Sequence, residues 1–159
     1  MSDSRRTAIL HGVLLRVHGL GVLLTGPAGI GKSELALELL ARGHALVADD
    51  VVELRRSAGR LIGHSPPRLR GYLAVRELGV FEVCALYGVR ALRRQQRLNL
   101  VVRLIRRRPL SAEALLHGRH SRQRILGVEL QTLSLSVNAG HNLAILVEAA
   151  CLQQRVRKK

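Results

Sequence analysis

Residues 20–33 read LGVLLTGPAGIGKS and contain the most informative pattern of the chain. An apolar run ends at Thr25, and the octet that follows matches the pattern G-x-x-x-x-G-K-[ST] in full. The leucine-rich segment from Lys32 to Arg42 predicts a helix that stops at Gly43. A strand, a glycine-rich loop and a helix in this order predict a P-loop that binds nucleotide phosphates.

In such a loop, backbone N–H groups surround the phosphate and the helix N-terminus adds positive potential. We expect Lys32 to reach the β- and γ-phosphate oxygens and the Ser33 hydroxyl to ligate Mg²⁺. The motif therefore predicts a bound nucleotide and Mg²⁺ as cofactors, without identifying the nucleotide. The predicted nucleotide-binding residues are Gly26, Pro27, Ala28, Gly29, Ile30, Gly31, Lys32 and Ser33.

A P-loop enzyme also needs an acidic group at the end of a neighbouring strand to hold Mg²⁺. Asp49 and Asp50 follow the apolar run ALVA and are the candidates. In an extended chain, successive side chains face opposite ways. One aspartate is therefore expected to face the metal and the other an incoming hydroxyl group.

The composition sets wider limits. The chain of 159 residues has 26 Lys plus Arg against 11 Asp plus Glu, a formal charge of +15, which predicts affinity for polyanions or an acidic protein. An arginine-rich habit of a GC-rich genome explains the same charge. Two separated cysteines, no signal peptide and no apolar run of roughly 18 residues predict a soluble cytoplasmic domain without membrane contact.

Elsewhere, periodicity predicts more strands than helices, and hence an α/β fold with a mixed sheet rather than alternating βαβ units. Residues 106–125 are expected to be basic, irregular and exposed, and residues 141–159 to form a helix. The expected extended segments are 7–17, 20–25, 44–56, 61–65, two short pieces within 71–83, 97–105 and 127–140.

The P-loop, ARGHALVADDVVEL and GHNLAILVEAA together resemble the catalytic domain of the HPr kinase/phosphorylase family. The resemblance runs from about His11 to about Gln154. It implies a P-loop fold related to that of phosphoenolpyruvate carboxykinase and a homo-oligomer. It also implies that residues 1–159 form a single kinase domain, without the family's N-terminal domain.

Family members phosphorylate a serine of the phosphocarrier HPr, and several reverse the reaction with inorganic phosphate. The resemblance implies roles for four residues. His11 leads a strand beside the reacting phosphate, and Asp49 acts as general base towards the serine. Asp50 lies near the metal, and Arg76 stabilises charge on the phosphoryl oxygens.

Some positions depart from the family pattern. Ala74 stands where the family has a metal-linked glutamate, and Glu77 stands where it has a glycine. A shift of three residues reverses the face of an extended chain, so Glu77 is a poor substitute ligand. Arg119 and Arg122 are candidates for the family's dephosphorylation arginine, and His141 replaces an arginine before the last helix.

The leading hypothesis is a Mg²⁺- and ATP-dependent protein-serine kinase acting on HPr, with weak phosphorolysis. One alternative is a diverged kinase for another hydroxyl acceptor. Another is a non-catalytic, nucleotide-responsive regulator that binds polyanions. The shortage of aromatic residues argues against binding to single-stranded nucleic acid, and the chain has no helix-turn-helix or zinc pattern.

Overall fold

The computed structural model describes residues 6–106, 110–138 and 140–157. The strands are β1 (Thr7–Val17), β2 (Leu20–Thr25), β3 (Ala45–Ser57), β4 (Arg60–His64), β5 (Tyr72–Val75), β6 (Gly79–Glu82), β7 (Gln95–Ile105), β8 (His120–Ile125) and β9 (Val128–Ser136). The helices are α1 (Lys32–Ala41), α2 (Val83–Tyr87), α3 (Ala112–His117) and α4 (Leu143–Arg157).

Seven strands form one mixed sheet in the order β2-β1-β3-β4-β7-β9-β8. Strand β7 is parallel to β2 and β9, and the other neighbouring pairs are antiparallel. Because β2 also pairs with β7, the strands β1, β2, β7, β4 and β3 close into a ring. The expected mixed α/β fold is confirmed.

Apolar side chains pack on both faces of this sheet. In β2, Leu24 packs with residues of α1 and α4, whereas Leu23 packs in a second cluster built from strand residues alone. Alternate residues of a strand point to opposite faces, so a continuous apolar run supplies both clusters. This double burial fixes the end of β2, where the phosphate-binding loop begins.

The segment expected to be irregular is partly regular. It contains α3, where the Ser111 hydroxyl accepts a hydrogen bond from the Ala114 N–H at 3.1 Å, and it contains β8. Strand β8 was not predicted because its outward side chains are polar and exposed, and its order comes from pairing with β9. Residues 107–109 lie outside the described residues.

The other predicted elements are observed close to their expected positions, and α2 is an additional short helix. Among the described residues, none of the helices has the length and apolar character that a membrane span requires.

Candidate active site

The loop between β2 and α1 has a backbone that glycine alone adopts easily. Gly29 and Gly31 have φ values of +80° and +114°, a region that side chains with a Cβ disfavour. Gly31 precedes α1 and has no side chain to cap its first N–H groups. These donors and the positive end of the helix dipole are available to an anion.

Lys32 begins α1 and folds back over the loop. Its Nζ donates to the carbonyl oxygen of Gly26 at 2.6 Å and to that of Pro27 at 3.2 Å. The ammonium group is thereby held at the mouth of the loop. A phosphate placed there would accept hydrogen bonds from the same group.

Asp49 and Asp50 lie on β3, opposite the part of β1 that carries His11. Asp49 is paired with Val13 and Asp50 with Gly12. Both carboxylates line the same cavity as Lys32. The sequence pattern had predicted that the two side chains would face opposite ways from the strand. The left-handed backbone of Asp50, with φ of +68°, interrupts the regular alternation of the strand.

Asp49 is half-buried, and its Oδ2 accepts a hydrogen bond from the Ala74 N–H at 3.0 Å. Burial is the main cause that raises the pKa of Asp49 above its ordinary value of 3.8, and the charge of Asp50 raises it further. The Ala74 N–H and the Lys32 charge act in the opposite direction. The carboxylate is therefore a stronger proton acceptor than a solvated aspartate.

The β5–β6 hairpin brings Arg76 to the phosphate loop. The Leu78 N–H donates to the Val75 carbonyl at 3.1 Å and closes the turn that contains Arg76. A Cβ added to Gly29 would lie 2.9 Å from Arg76 Nη2, so the guanidinium packs directly on the loop backbone. Arg76 is thus positioned to contact phosphate oxygens.

Two positions of this hairpin, 74 and 77, depart from the family pattern, and only position 74 lines the cavity. Ala74 lines the cavity, whereas the exposed Glu77 is not among its lining residues. Glu77 sits in the turn with φ of +75°. Its carboxylate therefore does not take the place of a side chain at position 74.

These residues surround one cavity of about 500 Å³. It unites all the predicted site residues except Pro27 and Ile30, which line an adjoining cavity behind the loop. No sequence pattern singled out Glu34, although it directly follows the P-loop serine. The lining residues are His11, Gly12, Val13, Gly26, Ala28, Gly29, Gly31, Lys32, Ser33, Glu34, Asp49, Asp50, Ala74 and Arg76.

The secondary candidates lie at different places. Arg119 lines the adjoining cavity with Pro27, whereas Arg122 faces Glu129 at 3.5 Å and lines a cavity away from the loop. His141 lies near the start of α1, in a depression that includes Gly31. Only Arg119 and His141 are therefore neighbours of the phosphate loop.

The oxygen donors in the main cavity fit a magnesium ion. Asp50 and Ser33 supply a carboxylate and a hydroxyl group, which are hard ligands of the kind that Mg²⁺ prefers. A ligand set of this size leaves further positions to water and to phosphate oxygens, as is usual for Mg²⁺ at nucleotide sites.

A glycine-rich loop at a helix N-terminus, with two carboxylates in the same cavity as its lysine, defines a P-loop nucleotide site. The chain belongs to the family described as the HPr Serine kinase C-terminal domain, whose model matches residues 4–159.

Named relatives agree with this assignment. The chain is 48% identical over 145 residues to the HPr kinase/phosphorylase of Bordetella petrii, covering 91% of this chain and 47% of the relative. It is 48% identical over 142 residues to that of Leptothrix cholodnii, covering 88% and 44%. The chain therefore spans about half the length of the curated relatives it matches.

A solved structure resembles nearly the whole chain. It is that of the HPr(Ser) kinase/phosphatase from Coxiella burnetii, with a TM-score of 0.88 and 33% sequence identity. The match covers 95% of this chain and 92% of the other. The likeness thus includes the ring of strands as well as the P-loop.

Proposed function

We propose that this chain is a Mg²⁺-dependent protein-serine kinase that transfers a phosphoryl group from ATP to a serine of an HPr-like phosphocarrier. The observation that supports it best is the single cavity in which Asp49 and Asp50 face Lys32. The named relatives support the acceptor, since they are HPr kinase/phosphorylases.

In this proposal the loop and Lys32 hold the β- and γ-phosphates, and Arg76 binds the oxygens of the transferred group. Ser33 and Asp50 would hold Mg²⁺, which neutralises phosphate charge when bound. Asp49 accepts the proton of the serine hydroxyl as that oxygen attacks phosphorus. His11, at the mouth of the cavity, orients the reacting phosphate.

In the reverse direction, protonated Asp49 returns the proton to the departing serine oxygen while inorganic phosphate attacks. We propose that this phosphorolysis is weak, because Ala74 places no carboxylate in the cavity and His141 lacks the fixed charge and bidentate geometry of an arginine. We infer a cytoplasmic location, consistent with the free thiols of Cys84 and Cys151, and a homo-oligomeric state.

The direct test mixes the protein with Mg²⁺-ATP and HPr from the same organism. The expected result is a mass gain of one phosphoryl group on an HPr serine, and its loss in Lys32→Ala. ATP binding without transfer to HPr would contradict the acceptor assignment. Phospho-HPr with inorganic phosphate should yield pyrophosphate more slowly than the forward reaction, and equal rates would contradict weak phosphorolysis.

A further inference from the structure

We propose a second metal site, for Zn²⁺ or a similar borderline divalent cation, formed by His18, His44 and Glu148. The three residues come from separate segments: the β1–β2 turn, the connection from α1 to β3, and helix α4. This cluster lies beyond the C-terminal end of α1, whereas the phosphate loop lies at its N-terminal end. The two sites are thus separated by a helix about 15 Å long.

The side chains already converge. One ligand atom from each residue lies within 4.8 Å of the other two. His44 Nε2 is 2.6 Å from Glu148 Oε2, and the rings of His18 and His44 meet edge to face with their centroids 5.0 Å apart. Ligand atoms in a tetrahedral zinc site are separated by roughly 3.3 Å, so small side-chain rotations complete the arrangement.

The donor set selects the kind of metal. Two imidazole nitrogens and one carboxylate oxygen suit Zn²⁺, which takes three protein ligands and a water in open sites. Mg²⁺ prefers oxygen ligands and octahedral geometry, so it belongs in the carboxylate-lined cavity around Lys32. The chain would then hold two chemically distinct cation sites.

The surroundings fix the ligands before a metal arrives. Arg42 Nη2 lies 2.6 Å from Glu148 Oε1 and leaves Oε2 directed at His44. Arg42 Nε also donates to Glu148 Oε1 at 2.8 Å, so the guanidinium holds the carboxylate in this orientation. Arg155 Nη1 donates to the His18 carbonyl at 3.1 Å and ties the turn to α4.

Neighbouring positive charge opposes cation binding, since Arg42 contacts Glu148 and Arg155 contacts the His18 carbonyl. The Arg42 guanidinium is a neighbouring positive charge, but it is partly exposed and water screens it. Its hydrogen bond also orients the carboxylate, as outer partners of metal ligands commonly do. All three ligand residues are half-buried. This position favours the joint binding of one cation more than full exposure of the three side chains to solvent would.

The test is calorimetric. The protein is first stripped of bound metal, Mg²⁺ is then added to saturation, and Zn²⁺ is titrated into this solution. One Zn²⁺ per chain is expected, together with a rise in the thermal unfolding midpoint. His18→Asn should weaken binding at least about tenfold, because loss of an outer-shell partner alone costs that much. Asparagine tolerates the left-handed backbone of position 18, where φ is +50°.

His64→Asn is the matched control. His64 Nε2 lies 2.8 Å from Glu53 Oε2, but this pair is not part of any cluster of three ligand residues in the described chain. The control should bind Zn²⁺ as the unmodified protein does. Equal affinity in His18→Asn and the unmodified protein, loss of binding in His64→Asn, or no Zn²⁺ binding at all would overturn the proposal.

Before titration, His18→Asn and the unmodified protein should unfold at the same temperature in chelator. Agreement shows that the variant folds, and any loss of affinity then reports the ligand itself. Co²⁺ gives an independent readout, since visible absorption bands of a four-coordinate ion are expected in the unmodified protein and not in His18→Asn.

Discussion

Asp49 combines a charge with surroundings that disfavour it. Its carboxylate is half-buried, lies beside the charge of Asp50 and accepts backbone hydrogen bonds from Ala74 and Asp50. The pKa of Asp49 is raised in the folded protein. Between pH 3.8 and the folded pKa, this carboxyl group therefore binds more protons in the folded protein than in the unfolded chain. The stabilisation that protonated Asp49 contributes is therefore lost as pH rises through its folded pKa, and it is absent at neutral pH.

We therefore predict opposite effects of Asp49→Asn on activity and stability. Phosphoryl transfer should fall by about 10²–10⁴-fold, the usual contribution of a general base. The thermal unfolding midpoint at neutral pH should be equal or higher, because the amide avoids the burial of a charge and still accepts from Ala74. Initial rates and thermal unfolding on the same preparation measure both.

Glu53→Gln is the control, since Glu53 lies on the same strand, outside the cavity, and faces His64. It should leave the transfer rate unchanged. An Asp49→Asn protein that retains transfer would refute the general-base role, and one that unfolds at lower temperature would refute the electrostatic account of its stability.

At the scale of elements, the β5–β6 hairpin completes the site. It supplies the Ala74 N–H to Asp49 and places the Arg76 guanidinium on Gly29. Neither contact is evident from local periodicity, because the hairpin forms its own two-stranded sheet. The resemblance to a family motif pointed to Arg76, whereas the contact itself depends on how the hairpin packs.

We predict that Ala74→Glu strengthens Mg²⁺ binding in the main cavity. Position 74 faces the cavity, so a carboxylate there adds an oxygen ligand beside Asp49 and Asp50. The Mg²⁺ concentration for half-maximal transfer should fall several-fold, and phosphorolysis should increase relative to the forward reaction. Rates measured across a Mg²⁺ titration in both directions test this.

Glu77→Gln serves as the matched control because Glu77 lies in the same hairpin but outside the cavity lining. Its Mg²⁺ dependence should equal that of the unmodified protein. A Mg²⁺ requirement that changes in Glu77→Gln and not in Ala74→Glu would show that the carboxylate at position 77 reaches the metal after all.

At the scale of the whole molecule, one group of exposed apolar side chains lies between residues 78 and 89, and others lie on β1, α3 and α4. Leu78, Val80, Leu86 and Val89 are 68%, 69%, 61% and 80% exposed. They lie on the β5–β6 hairpin and on the segment around α2. Apolar groups clustered on a surface often mark an interface between chains.

We expect a solution mass of at least two chains of 17.5 kDa each, as measured by light scattering after size-exclusion chromatography. Val80→Lys should shift the distribution towards the single chain, because a lysine charge is costly to bury. Leu116→Lys, on α3 and more exposed than Val80, should leave it unchanged. A protein that is monomeric without substitution would contradict the oligomeric expectation.

Local sequence was enough to predict the phosphate loop, the strand before it, the helix after it and the mixed character of the sheet. These features depend on interactions between neighbouring residues: glycine backbone freedom, alternating side chains and helical periodicity. The turn between β1 and β2 and the end of α1 were predictable for the same reason.

The remaining features could not be predicted from local sequence. The closure of five strands, the pairing that orders β8, the common cavity of Asp49 and Asp50, and the convergence of His18, His44 and Glu148 all depend on contacts between distant segments. The sequence of a strand does not select its partner by itself. Packing in a shared core selects it. Local patterns therefore predicted the phosphate loop, and the packing of β3 and the hairpin placed the other groups of the site.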